Sequence, residues 1–398
     1  MINTFFRQIV RRQGSFVGAL LPILLSACAS TSTAYPKIDP AAVAADTPAL
    51  QAELIEAVLT RSRRVNDIAW PILAANAELC HDMTRDAFGL TIGNDEVIQG
   101  MVSGLTRDQA RTAGYYASPI VIGVSAGSPA AEAGLRPGAE PIRIGTHKIQ
   151  GDMKTLIKAL NEDAEARRSA DPDADPLPLE AVFLQDGEDL TVSMVPVEIC
   201  SATILVRETD TINASATSRT IRINRGIMSA LEDDRELALV IAHELGHVAG
   251  RHVPKLQRNA AVSGLVIWGI PVAVTASVVD LTVGRVIERM TDQTTPPGRA
   301  AMTRIQNRVL GIRSFEREAD YLAVYFAARA GVDLENVESV FRQFATLSAR
   351  STYGERTHPV SAERMLAIDA TRQEVAAKIA NGEPLIPNGW PYPVGESD

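Results

Sequence analysis

The sequence predicts an α+β protein: a mostly helical domain with a small, edge-exposed β-sheet, interrupted by a β-rich inserted domain. Two stretches, residues 233–250 and 314–331, repeat apolar side chains at helical spacing. Between Gly89 and about residue 199 that texture gives way to short apolar runs bounded by Gly and Pro, which read as strands. After Cys200 strand patterns return briefly and helices follow.

In chain order, Arg7, Arg11 and Arg12 precede the apolar run Phe16 to Leu25, and Leu25-Ser26-Ala27-Cys28 follows. Residues 1–27 therefore read as a secretory signal peptide. The last four residues resemble the bacterial lipobox, which implies cleavage before Cys28 and lipidation of its thiol. An uncleaved anchor fits less well, because the run is about half of the roughly 20 residues a span needs. Cleavage would remove three positive charges and move the formal charge from −9 to −12. So acidic a chain is no nucleic-acid partner.

Residues 28–48, rich in Ala, Thr, Ser and Pro, read as a tether. Residues 49–88 form the first part of the host domain, where Leu54, Val58, Val65, Ile68, Ile72, Leu73 and Leu79 predict helices interrupted near Trp70-Pro71. His81 has no ligand-spaced neighbour and reads as structural.

Residues 89–199 form the insert. Within it Ile120 to Val124, Gly127 to Gly138 and Pro141 to Gly145, then a helix near Met153 to Leu160 and strands at Leu179 to Leu184 and Leu190 to Val195, together resemble a PDZ domain of bacterial proteases. Residues 161–178, acidic and Pro-bearing, read as a mobile loop. The resemblance implies binding of extended peptides, often C-termini, by strand addition at a sheet edge. Tyr115 to Pro119 is where the carboxylate loop is expected, although no glycine-rich signature stands there. A spacer that only shields the active site is the alternative. His147 reads as a surface residue. Cys80 and Cys200 bracket the insert, and an inserted domain leaves and re-enters its host at neighbouring points, so the two are expected to form a disulfide.

Residues 200–382 complete the host domain. Ala202 to Val206 reads as a strand and Arg219 to Gly226 as an edge strand of the kind that holds a substrate backbone in zinc peptidases; Asn213 to Ala216 reads either as contributing to that or as a plain turn. The helix of 233–250 carries His243-Glu244-Leu245-Gly246-His247. Residues four apart lie about 40° apart around a helix, so the two imidazoles face one ion with Glu244 beside them. A catalytic zinc takes such a pair, a third protein ligand and a water whose pKa falls to about 7, and Glu244 is placed to accept that water's proton. His252 invites a pattern in which a third His completes the ligand set, but that pattern needs residue 253, which is Val253. His252 reads instead as structural or as a partner of a ligand. Glu316 and Asp320, one turn apart on the next helix, suit a third ligand and an acceptor for a ligand imidazole.

These motifs resemble the gluzincin peptidases that include HtpX, BepA and the CAAX-processing proteases. Their HExxH and later ExxAD helices match His243 to His247 and Glu316 to Asp320. Their His-Pro followed by Arg matches His358-Pro359 and Arg364. The resemblance implies one Zn2+ per chain, His358 steadying the oxyanion at the rim, and Arg364 holding that segment. It implies an endopeptidase, and with the signal and lipobox resemblance of residues 1–28 the expectation is one acting on cell-envelope proteins in quality control and facing the periplasm, while Ala29 rather than Asp after Cys28 favours the outer over the inner membrane by resemblance to known sorting. Its partners are protein or peptide substrates, with the membrane reached through lipidated Cys28. The alternative is a chaperone-like or latent homologue with little cleavage.

Residues 259–279 carry no charge and are long enough to span a bilayer. A single span would strand Glu316 across the membrane from His247, so a helix covering the cleft is expected, with a membrane-dipping segment as the alternative. Residues 334–350 and 361–379 read as packing helices and 383–398 as a Pro-rich surface tail.

Overall fold

The computed structural model describes residues 37–169, 176–259, 311–335, 339–340 and 362–390. Two compact units, 1–47 and 48–398, make up the chain. Helix α1 (Pro40–Ala75) starts in the first, within the residues read as a tether. All contacts below belong to the second. The helix continues unbroken through Pro71, contrary to the expected interruption. Val65, Ala69, Ile72 and Leu73 keep one buried stripe across it, and that packing outweighs the backbone bond a proline removes.

The insert then unfolds in order as β1 (Thr84–Ala87), β2 (Leu90–Gly93), α2 (Asp95–Met101), α3 (Arg107–Thr112), β3 (Ile120–Val124), the single turn α4 (Pro129–Glu132), β4 (Glu140–Ile144), β5 (His147–Lys148), α5 (Met153–Arg168), β6 (Leu179–Gln185), β7 (Glu188–Met194) and β8 (Val197–Cys200). Its helix starts follow capping chemistry. Asn94 accepts from Val97 N, Asp152 accepts from Thr155 N, and Thr106 with Gln109 makes a capping box. β2 pairs antiparallel with β3, and β5-β4-β6-β7 form a second antiparallel sheet. Val121, Leu135, Ile144, Leu156, Leu179, Phe183 and Met194 close a core of their own. α5 runs on to Arg168, into residues expected to be a mobile loop. Arg167 holds that extension, paired with Asp163 and Asp86 and lying 5.3 Å over the Phe88 ring.

β8 returns antiparallel to β1, Thr84 opposite Cys200, so the insert leaves and rejoins its host at one place. A disulfide joins Cys80 and Cys200 there, 120 residues apart in sequence.

The host continues with β9 (Thr203–Arg207), β10 (Ala214–Ala216), β11 (Thr220–Asn224), α6 (Arg225–Ala230), α7 (Asp234–Ala249), α8 (Ile312–Arg329) and α9 (Ala362–Asn381). The sheet order is β10-β11-β9, with β11 parallel to β9 and antiparallel to β10. Residues 219–226 are therefore not an edge strand. Ile221 and Ile223 are fully buried, which is what a central strand's inner face requires, and the edge beside α7 falls to β10. Leu237, Ile241 and Leu245 of α7 meet Leu322, Tyr325 and Phe326 of α8 and Ile368 and Val375 of α9 in one core.

The start of the tail is docked rather than superficial. Trp390 is buried, donates from Nε1 to the Leu79 carbonyl at 3.2 Å, and sits 5.3 Å from the His81 ring. Among the described residues no helix is long and apolar enough to cross a membrane. The signal and Cys28, the uncharged stretch beyond Asn259, most of the helix expected at 334–350, and His358 lie outside the described residues.

Candidate metal centre

α7 begins on Asp233, whose side chain accepts from Arg235 N, with Asp234 and Glu236 in its first turn where the helix dipole favours negative charge. Every residue from Leu237 to Ala249 is buried. The motif histidines therefore project into the interior, where they meet α8. Gly246 makes this approach possible. A Cβ there would lie 3.0 Å from both Cα and O of Ala319, so the two helices touch backbone to backbone at a Gly–Ala contact.

That contact sets Glu316 of α8 opposite the imidazoles. His243 Nε2 and His247 Nε2 are 3.1 Å apart, His247 Nε2 is 3.4 Å from Glu316 Oε1, and His243 Nε2 is 3.6 Å from Glu316 Oε2. Bonds of about 2.0–2.2 Å at tetrahedral angles would set ligand atoms about 3.3 Å apart, so the three groups fit one small cation. Among the described residues this is the group of His, Cys, Asp or Glu side chains that could hold a metal. Its electrostatics point the same way. Glu244, Glu316 and Asp320 are buried with one guanidinium, that of Arg364, leaving an excess of negative charge for a divalent ion to neutralise.

Asp320 Oδ1 lies 3.0 Å from His243 Nδ1. A carboxylate only accepts, so it holds the proton on Nδ1 and leaves Nε2 free to ligate. Arg364 of α9 donates to Asp320 through Nε and Nη2 at 2.6 and 2.7 Å, and its Nη1 is 3.1 Å from Glu316 Oε2. Burial opposes the charge on Arg364, yet Asp320, Glu316 and Glu244 raise its pKa. Burial likewise disfavours a charged His243, and Asp320 and Glu316 override it, lifting its pKa to about 10 in the metal-free site.

The structure thus brings His243, Glu244, His247, Glu316, Asp320 and Arg364 together. His252 does not join the ligand atoms. α7 stops at Gly250, Arg251 takes φ 52°, and a helical run over 252–259 follows. This break returns the His252 ring to the site from the side, its Nδ1 2.9 Å from His247 Nδ1 and its Nε2 3.3 Å from Glu318 Oε2. Glu318 escaped the sequence reading. Between Glu316 and Asp320 it looks like a solvated helix position, and only the backbone break at Arg251 brings it a partner.

Residues 192–372 match the model of Peptidase family M48. The M48 match begins in β7 and ends in α9, and takes in α7 and α8 with the candidate metal ligands, Asp320 and Arg364. This part of the chain is similar to a metal-dependent peptidase, a hydrolase of peptide bonds. Among curated proteins nothing matches the chain.

Proposed function

We propose that the chain is a zinc-dependent endopeptidase of cell-envelope proteins, anchored through a lipidated Cys28 and facing the periplasm. The observation that carries the catalytic part is the buried triad of His243, His247 and Glu316, whose spacings would let the three side chains hold one zinc ion. When bound, zinc polarises a scissile carbonyl and makes a water acidic near neutral pH. The chain's own groups do the rest. Glu244, beside His243 on α7, takes the proton of the attacking water and delivers it to the leaving amine. Asp320 orients His243, and Arg364 holds Asp320 and Glu316 in place. β10, at the edge of its sheet and packed on α7, offers its backbone to an extended substrate. The inserted domain, PDZ-like in sequence, presents peptide C-termini to this site. Its β2 pairs only with β3 among the described residues. The envelope location rests on the signal and lipobox of residues 1–28, and the outer membrane on Ala29 rather than Asp after the modified cysteine.

Cleavage of unfolded casein by the wild-type chain and by Glu244→Gln is the direct test. The variant is expected to keep its metal and lose about 10²–10⁴-fold in rate. Equal cleavage by the two proteins would sink the proposal.

A further inference from the structure

The two candidate ligand histidines are oriented by different means. For His243 the acceptor is a carboxylate in direct contact. On the outer side of His247 stands a second imidazole, His252 Nδ1 at 2.9 Å, with Glu318 Oε2 3.3 Å beyond its Nε2. We infer that His252 and Glu318 form a positioning pair that fixes the tautomer and ring orientation of His247 for metal binding. This rests on the reading that His243, His247 and Glu316 hold a metal.

Donors and acceptors along this contact decide where each proton sits. Glu318, as a carboxylate, has only acceptors to offer, so its Oε2 at 3.3 Å favours the His252 tautomer that carries its proton on Nε2. A neutral imidazole then has a lone pair on Nδ1. Facing that lone pair, His247 places its own proton on Nδ1 and frees the lone pair of Nε2, the atom that shares the triad with His243 Nε2 and Glu316. Every proton in the chain Glu318, His252, His247 is thereby assigned, and Asp320 assigns the one on His243. Both candidate ligands present Nε2, as a shared ion requires.

The surroundings are built for this pair. His252 is 3% exposed and its ring stacks on Phe315 at 4.7 Å and 17°. Phe315 and Glu318 both belong to α8, so the element that supplies Glu316 also seats His252. Gly250 leaves the room. A Cβ there would lie 2.4 Å from His252 Nε2, on the side that turns to Glu318. Arg251, in the left-handed region, pairs with Asp82 and so ties the bend that aims His252.

The test is metal affinity, read without substrate by competition between the full apo chain and a chromophoric chelator for zinc. His252→Leu removes the acceptor and is expected to weaken binding about 10–100-fold, whereas His252→Asn, whose Oδ1 takes the place of Nδ1, stays within about threefold of wild type. Glu318→Leu, which removes the acceptor, is expected to weaken binding in the same direction and to add nothing in combination with His252→Leu, since it acts through that ring. Circular dichroism of each apo variant reports folding, and should His252→Leu fail to fold, the His252→Asn and Glu318→Leu variants carry the comparison. Equal affinities for the Leu and Asn variants of His252, or Glu318→Leu at wild-type affinity, would overturn the inference. A wild-type chain that takes up no zinc would overturn the metal reading beneath it.

Discussion

At the centre, His243 carries a marked electrostatic signature. Its pKa in the metal-free fold, raised from the usual 6.5 to about 10 against the effect of burial, means that the empty site holds a proton where a cation would sit. The contribution of this group to stability is fully present below its unfolded pKa near 6.5 and is lost as pH rises through about 10. Metal must displace that proton, so binding at pH 7 is expected to release about one proton from His243 and to strengthen as pH rises toward 10. Calorimetry in buffers of different ionisation enthalpy measures the release, and binding without proton release at pH 7 would contradict it. That His243 and His247 share one face of a helix, and Glu316 and Asp320 one face of another, was legible from spacing, because a helix turns positions four apart into one face. Arg364 entered through a family pattern, and the two hydrogen bonds it donates to Asp320 could not be read from residues 44 positions apart. Glu318 was invisible for the same reason: its partner depends on one left-handed residue, Arg251.

Among elements, the decisive feature is the close crossing of α7 and α8. Leu245 and Ala319 announce buried helix faces, but that Gly246 is the contact point emerges only when both backbones are present. Gly246→Ala would set a Cβ 3.0 Å from the Ala319 backbone, which cannot rotate aside. The expected cost is about 1–3 kcal/mol of stability, measured by denaturant unfolding. As α8 shifts, Glu316 moves off the imidazoles and zinc affinity falls with it. Unchanged stability and affinity would mean that the helices have slack there. The strands were harder to order than the helices. Residues 214–216 and 220–224 are too short for their pattern to tell edge from centre, and the sheet order depends on partners that local sequence does not name. Pro71 misled for a related reason: its local preference to break a helix lost to the core stripe on either side of it.

At the scale of the whole molecule, the segment from β1 to β8 leaves and returns at one place, where those two strands pair antiparallel. The disulfide at that neck closes a loop of 120 residues. On the chain-entropy account its removal in a Cys80→Ser, Cys200→Ser double variant costs about 4–5 kcal/mol, with the midpoint of urea unfolding as the measurement. The site lies away from this neck in sequence, so zinc affinity at low temperature is expected to survive the change. The α+β organisation was readable from the shift in texture at Gly89, because period-2 runs and period-3.6 runs bury different faces. The central proposal is that α7 and α8 together hold a single catalytic zinc. Metal analysis of purified Glu316→Ala beside wild type tests it most directly. The account predicts about one zinc per wild-type chain and near-complete loss in the variant; full occupancy in Glu316→Ala would contradict it.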